Sequence, residues 1–285
     1  MKRTLWLVVL YLMYQVVFTF LIMLVQFLFL FAKNAASGMK MDMTASELME
    51  SIGSGQYMGD TTTTIALGVL VAALAMLWTL YRHHYVYTDR TFLQQKGAWS
   101  VLLVCVPFIY TSMYMLNMLC GELDLPNLME DEFIDLSGNV WGILSMALAA
   151  PILEECLFRG AIEGHLLRTW KRPWLAVVVS ALVFGLIHMN PIQSVFAFLV
   201  GLVLGWLYYR TGSILPGIIG HILNNSLAVV SMQVCDKDTD SLEALLGEAA
   251  QPYFLAAYAV IFVLTAWYLY KKMRRNCNFS ETSAV

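Results

Sequence analysis

The sequence predicts an all-α polytopic membrane protein, a bundle of about eight transmembrane helices in one membrane domain. Of its 285 residues, 59% are hydrophobic and only 13% are charged. Soluble globular proteins carry roughly 45–50% apolar and about 25% charged residues. The apolar residues also gather in runs close to the ~20 residues that a helix needs to cross a bilayer. No alternation of period two recurs over about ten residues, so a membrane barrel is not expected.

Eight apolar segments account for most of the chain. The first follows Lys2 and Arg3, as in a signal peptide, but its apolar part is far longer than the 7–15 residues of a cleaved signal. We therefore interpret it as a retained anchor. The predicted spans lie near 4–32, 65–81, 99–120, 140–165, 174–190, 192–209, 214–233 and 253–270.

The charges predict that both termini are cytoplasmic. With eight spans and an inner N-terminus, thirteen of the 17 basic residues fall in inner segments, and fifteen of the 20 acidic residues fall in outer ones. Lys and Arg resist translocation, so this sorting supports the count of eight. The net charge of −3 leaves no basic surface for nucleic acid. We expect an integral, multi-pass protein of the plasma membrane, with the lipid bilayer as its surroundings.

Ionisable side chains interrupt three neighbouring spans. The fourth reads Pro151-Ile-Leu-Glu-Glu-Cys-Leu-Phe-Arg159, the fifth carries His188, and the seventh reads His221-Ile-Leu-Asn-Asn225. A charged group at a helix centre costs on the order of 2.5–3.5 kcal/mol on insertion scales, so such residues are functional candidates by default. The clustering of these groups in three spans favours a functional site over isolated structural pairs.

Helical geometry separates the two glutamates of the fourth span. Neighbouring residues lie about 100° apart around the axis, so Glu154 and Glu155 face different ways. Glu155 and Arg159 are spaced i, i+4 and can form an ion pair on one face. Glu154 is then left without a local counter-charge, which makes it the candidate general base.

The other two spans offer hydrogen-bond donors and a second histidine. His221 and Asn225 are also spaced i, i+4 and can direct an imidazole and an amide N–H at one oxygen. Asn224, rotated by about 100°, is not expected to share this task. His188 can accept or relay a proton. Helix rise places His188 about 10 Å too high relative to Glu154 and His221, so we expect a deeper fifth helix, tilt or kinking to close the gap.

Three ordered motifs resemble the CPBP family of intramembrane proteases, also described as CAAX prenyl protease 2-like or Abi. They are E-E-x-x-x-R at Glu154, Glu155 and Arg159, F-x-x-x-H at Phe184 and His188, and H-x-x-x-N at His221 and Asn225. The resemblance covers roughly 140–230. It implies a helical bundle around a polar cavity and an endopeptidase that cuts a membrane-associated protein or peptide.

The resemblance also implies a role for each motif residue. Glu154, helped by His188, would activate water, while His221 and Asn225 would stabilise the oxyanion. Glu155 and Arg159 would hold the fourth helix in shape, with Phe184 as a supporting residue. We accordingly divide the chain into N-terminal helices and loops (1–139), a catalytic core (140–233), and an outer loop, last helix and basic tail (234–285).

Metal dependence is the first open alternative. Glu154, His188 and His221 together could hold zinc with one open position. His-Glu-x-x-His, which presents two ligands and a base on one helix, is absent from the sequence. Using all three as ligands would leave only Glu155, already neutralised by Arg159, to serve as base. We therefore favour no cofactor, with zinc as the alternative.

Other functions and contacts also stay open. A proton-coupled transporter would use buried Glu, His and Arg too, but it predicts matched breaks in two halves of the chain, and we see none. A non-catalytic membrane scaffold or immunity protein would tolerate loss of Glu154.

Gly160 with Gly164 and Gly201 with Gly205 permit close helix packing. This spacing allows a dimer but does not support one. Cys120 and Cys235 could form a disulfide at the outer face.

Overall fold

The computed structural model describes residues 2–36, 60–170, 172–234 and 251–273. These residues form nine helices, and seven of the nine are long and apolar enough to cross a membrane. The helices are α1 (Lys2–Ala36), α2 (Thr61–Arg82), α3 (Ala98–Gly121), α4 (Glu130–Ser137), α5 (Val140–Thr169), α6 (Pro173–Leu186), α7 (Pro191–Thr211), α8 (Leu215–Val234) and α9 (Gln251–Lys272). The predicted polytopic bundle is confirmed, since a helix occupies each of the eight predicted spans.

The fifth span is shorter than predicted. α6 ends at Leu186 after 14 residues instead of continuing to 190. Pro191 opens α7 and holds Asn190 in an extended conformation, because a residue before proline avoids the helical region. Met189 turns the chain with a positive φ of 50°. His188 therefore lies in the turn between α6 and α7 and not within a helix.

α5 is the central helix, and it contains two π-helical segments. Ser145–Ala149 and Glu155–Glu163 form π-helix, while the segments around them are α-helical. π-helical turns inside α-helices are rare and occur frequently at functional sites. The buried side chains Leu153, Leu157, Phe158 and Ile162 anchor α5 in the main hydrophobic cluster. This packing fixes the helix that carries both glutamates of the first motif.

The remaining helices surround α5 in pairs. α1 packs along α2, α6 along α7, and α9 against α3. α8 contacts α3, α7 and the first half of α5. Small residues allow close approach, as at Gly68 of α2, where an added Cβ would lie 2.6 Å from the Cα of Thr19. α5 is thus enclosed by α1, α2, α6, α7 and α8.

A short helix outside the predicted spans precedes α5. α4 runs from Glu130 to Ser137 and begins with three acidic residues, a placement that suits the positive end of a helix dipole. Asn139 then caps α5, accepting hydrogen bonds from the backbone N–H groups of Trp141 and Gly142. Cys120 is buried at the end of α3, and Cys235 lies outside the described residues. The disulfide, the cytoplasmic termini and the division at 139 and 233 remain predictions.

Candidate active site

The three motifs come from α5, the end of α6 and α8, and their side chains form a chain of contacts. α5 supplies Glu154, Glu155 and Arg159. The α6 end supplies Phe184 and His188, and α8 supplies His221. The motifs thus meet in space although up to 71 positions separate their members.

Glu155 lies at the buried end of this series of contacts. Its Oε1 lies 2.9 Å from Arg159 Nη1 and 3.1 Å from His221 Nδ1. The predicted Glu155–Arg159 ion pair is therefore present. Its geometry is electrostatic and not that of a linear hydrogen bond, since the Arg159 Nη groups have no hydrogen-bond partner among the described residues. Because a carboxylate only accepts, Nδ1 is the nitrogen of His221 that carries the hydrogen.

Gly217 makes the position of Glu155 possible. An added Cβ at Gly217 would lie 2.4 Å from Glu155 Oε2, far inside van der Waals contact. α8 thus needs a glycine where the carboxylate meets its backbone. The same approach places His221, one helical turn later, against Glu155.

Glu154 faces the other nitrogen of His221. Its Oε2 lies 3.6 Å from His221 Nε2, and its side chain is 12% exposed whereas that of Glu155 is 0% exposed. The two glutamates therefore point in different directions, as helix geometry predicted. His221 lies between them, with one ring nitrogen towards each carboxylate. Tyr11 of α1 is within electrostatic reach of Glu154.

Phe184 joins the two histidines to Arg159. The Arg159 guanidinium carbon lies 4.4 Å from the centre of the Phe184 ring, a cation–π contact. The His188 and His221 rings stand nearly perpendicular to the same ring, with centroids 5.0 Å and 6.1 Å away. His188 Nδ1 lies 2.8 Å from the backbone oxygen of Phe184. The turn after α6 thus places His188 against Phe184, whose ring also faces His221.

Asn225 is oriented by two hydrogen bonds. Its Nδ2 donates to the backbone oxygen of Met146 at 3.0 Å, and its Oδ1 accepts from Asn224 Nδ2 at 3.2 Å. Met146 lies in the first π-helical segment of α5. Asn225 lies one turn after His221, but the two side chains do not converge on one atom in this structure. Asn224, expected to be uninvolved, fixes the orientation of the Asn225 amide.

Glu154, His188 and His221 are the residues predicted as alternative zinc ligands. Among the described residues, no group of three or more His, Cys, Asp and Glu side chains is arranged to hold a metal ion. Nδ1 of His188 lies against a backbone oxygen and Nδ1 of His221 against Glu155, so only Nε2 of each ring is left for another partner. The absence of a cofactor and the alternative zinc set both remain predictions.

Sequence reasoning assigned no role to two residues beside the site. Glu163, in the fourth span, is fully buried and carries two oxygens without a hydrogen-bond partner among the described residues. Its charge in an apolar helix was the signal that could have marked it. Tyr11 lies in an uninterrupted apolar run, and nothing in its surroundings distinguishes it.

The comparisons with known proteins point to the same family that the motifs resemble. Residues 136–227, which contain all three motifs, match the family model described as "Type II CAAX prenyl endopeptidase Rce1-like". These residues form a core that is similar to this family, the Rce1-like core. The resemblance drawn from the motifs is thus confirmed over the segment that carries them.

Two curated bacterial proteins are similar to part of the chain. The chain is 30% identical over 88 residues, or 31% of its length, to "Putative membrane peptidase YdiL" of Bacillus subtilis (strain 168). It is 29% identical over 120 residues, or 40% of its length, to "UPF0177 protein YbdI" of Lactococcus lactis subsp. lactis (strain IL1403). These matches span 36% and 64% of the two relatives. No solved structure gives a significant match.

Proposed function

We propose that this protein is an intramembrane endopeptidase in which Glu154 activates the attacking water. The observation that carries the proposal is the position of His221 between the two glutamates, at 3.6 Å from Glu154 and 3.1 Å from Glu155. The Rce1-like core supports the same reaction class. A partly exposed carboxylate beside an oriented imidazole is an arrangement suited to general base catalysis.

The roles of the site residues follow from their contacts. Glu154 takes a proton from water, and the hydroxide attacks the carbonyl carbon of the scissile peptide bond. Glu155 keeps the Nδ1 hydrogen of His221 in place, as a buried carboxylate does for a catalytic histidine. Nε2 of His221 is then free to receive the proton from Glu154. The proton next passes to the departing amine as the carbon–nitrogen bond breaks.

Oxyanion stabilisation falls to His221 and Asn225. Once protonated, His221 Nε2 becomes a donor towards the active site. The Asn225 amide has two N–H bonds, of which one donates to Met146. The other can donate to the tetrahedral oxyanion when substrate is bound. His188, held against Phe184, assists Glu154 in orienting the water.

The substrate class is a membrane-associated protein or peptide. Most site residues belong to helices long enough to cross the membrane, while Phe184 and His188 lie in the shorter α6 and in the turn after it. A scissile bond must therefore reach the site from the bilayer or its surface. The name of the matched family points to a prenylated C-terminal peptide as the first probe. A quenched-fluorescence peptide ending in S-farnesylcysteine and three further residues is that probe, and the same peptide without the lipid is its comparison.

The decisive experiment compares wild type with Glu154→Gln, which keeps the size and hydrogen bonding of the side chain but removes the base. Membranes expressing each form at equal levels are analysed by mass spectrometry of peptide termini. We expect new termini in the wild-type membranes alone. Purified wild-type protein in lipid nanodiscs should then cleave the corresponding synthetic peptide, and the variant should not. Identical termini from the two membranes would refute the proposal and favour a scaffold.

A further inference from the structure

The strongest unassigned feature is a fully buried carboxyl group at the end of the second π-helical segment of α5. Glu163 is 0% exposed, and neither of its oxygens has a hydrogen-bond partner among the described residues. An unpartnered buried polar group is costly, and more so in a membrane-spanning helix. Gly205 of α7 lies beside the carboxyl group, and Val177 of α6 lies near the same glycine. Neither of these two residues satisfies the carboxyl group.

Its complement lies one turn earlier on the same helix. Arg159, four residues before Glu163, has two Nη groups without a hydrogen-bond partner among the described residues. Glu163 interacts electrostatically with Arg159 and with Glu155. Arg159 therefore lies between an acidic residue on either side along the π-helical segment. Buried donors of Arg159 and buried acceptors of Glu163, none with a hydrogen-bond partner among the described residues, thus lie about one turn apart on the same helix.

Arg159 also contacts the residues of the candidate active site. Its guanidinium group lies over the Phe184 ring, and that ring contacts both His188 and His221. Nη1 additionally lies beside the Glu155 oxygen that faces His221. A shift of the guanidinium group would therefore displace the histidines by two routes.

We propose that Glu163 is a positioning residue for the site, accepting hydrogen bonds from Arg159 directly or through one enclosed water molecule. Together with Glu155 it holds the Arg159 guanidinium group over the Phe184 ring, which in turn fixes the positions of His188 and His221. This inference rests on the proposed peptidase function. It assigns Glu163 no contact with the substrate, so its loss should affect turnover and not substrate affinity.

Gly205 provides a second way to disturb the same carboxyl group. An added Cβ there would lie 2.7 Å from Glu163 Oε2. Gly205→Ala should therefore push on the carboxyl group without removing it. Gly68→Ala is the matched control, because its Cβ would meet Thr19 at 2.6 Å in the contact between α1 and α2. Its crowding falls on Thr19 and not on the Glu163 carboxyl group.

The test uses the full chain in lipid nanodiscs and the peptide identified from wild-type membranes. Glu163→Met keeps the length of the side chain but removes the acceptors. It should lower kcat about tenfold or more, with KM within about twofold, since small displacements of catalytic groups are costly to rate. Glu163→Gln keeps one acceptor oxygen and should recover most of that loss. Gly205→Ala should lower kcat, and Gly68→Ala should not.

A second measurement needs no substrate. The chain contains five histidines, so ¹⁵N-histidine NMR spectra can be assigned by single substitutions. The His221 signals should move in Glu163→Met and stay in place in Gly68→Ala. The inference would be overturned by any of four results. These are a wild-type kcat in Glu163→Met, an effect on KM alone, equal impairment in Glu163→Gln and Glu163→Met, and His221 signals that do not move. Failure of the peptidase proposal would instead appear as equal cleavage by wild type and Glu154→Gln, and the NMR comparison would still decide the role of Glu163.

Discussion

Gly217→Ala tests whether the placement of Glu155 governs turnover. The added Cβ would lie 2.4 Å from Glu155 Oε2 and 3.1 Å from its Cδ, whereas ordinary contact begins at 3.4 Å. The carboxyl group must therefore retreat by about 1 Å. Oε2 has no hydrogen-bond partner among the described residues to resist this movement, but Oε1 faces both Arg159 and His221. The retreat therefore disturbs two contacts of the site at once.

The magnitudes separate an effect on catalysis from an effect on stability. Overpacking costs about 1–3 kcal/mol, and we expect the lower end because the end of a flexible side chain can move. A displacement of about 1 Å can reduce the rate on the order of 10²-fold. We therefore expect Gly217→Ala to lose about 10²-fold in kcat, with little change in KM and a folded yield close to wild type.

The assay measures initial cleavage rates of the identified peptide over a range of concentrations in nanodiscs. Thermal unfolding of each preparation is measured in parallel. Gly68→Ala again serves as the control for crowding between helices. Wild-type kcat in Gly217→Ala would refute the reasoning, and so would an equal loss of kcat in Gly68→Ala.

Three further predictions concern the amide pair, metal dependence and topology. Asn225→Ala should lower kcat by about 10²–10³-fold with KM little changed. Asn224→Ala should lower kcat by less, because it removes only the group that orients Asn225. A greater loss of kcat in Asn224→Ala would contradict the assignment. Treatment with a strong chelator should leave cleavage intact, and elemental analysis should find less than one zinc per chain. Stoichiometric zinc whose removal abolishes cleavage would instead favour Glu154, His188 and His221 as ligands. Topology is tested in a variant whose native cysteines are replaced and to which one new cysteine is added at an exposed position. A cysteine at Gln94 should react with a membrane-impermeant thiol reagent supplied from the cytoplasmic side, and one at Leu128 should react from the outer side. The reverse pattern would overturn the predicted orientation.

Local spacing predicted the parts of the site that depend on one helix. The Glu155–Arg159 pair and the different directions of Glu154 and Glu155 follow from helical rotation, because residues four apart stay near one face in both α- and π-helix. The helical spans were equally accessible, because the length of an apolar run reflects the thickness of the bilayer. These features needed no knowledge of how the helices pack.

Features that depend on packing between helices could not be predicted in this way. The central position of Phe184 results from the early end of α6 and from how α6 packs on α5. Asn190-Pro191 in the sequence indicated a turn there, but the apolar run around it favoured a longer helix. The two π-helical segments and the contact between Asn225 and Met146 leave no recognisable pattern in composition or spacing. The role of His221 between two carboxylates became visible only when α8 was placed against α5.

The shortness of α6 bears on the membrane around the protein. Fourteen residues rise about 21 Å, well short of the ~30 Å hydrocarbon thickness. The bilayer beside α6 must therefore become thinner locally, or polar groups must descend into it, and either adjustment carries an energetic cost that grows with mismatch. His188 lies at the end of this short helix, where water has the shortest distance to travel. The lipid tails themselves, through their length, thereby become a determinant of how readily water reaches the site.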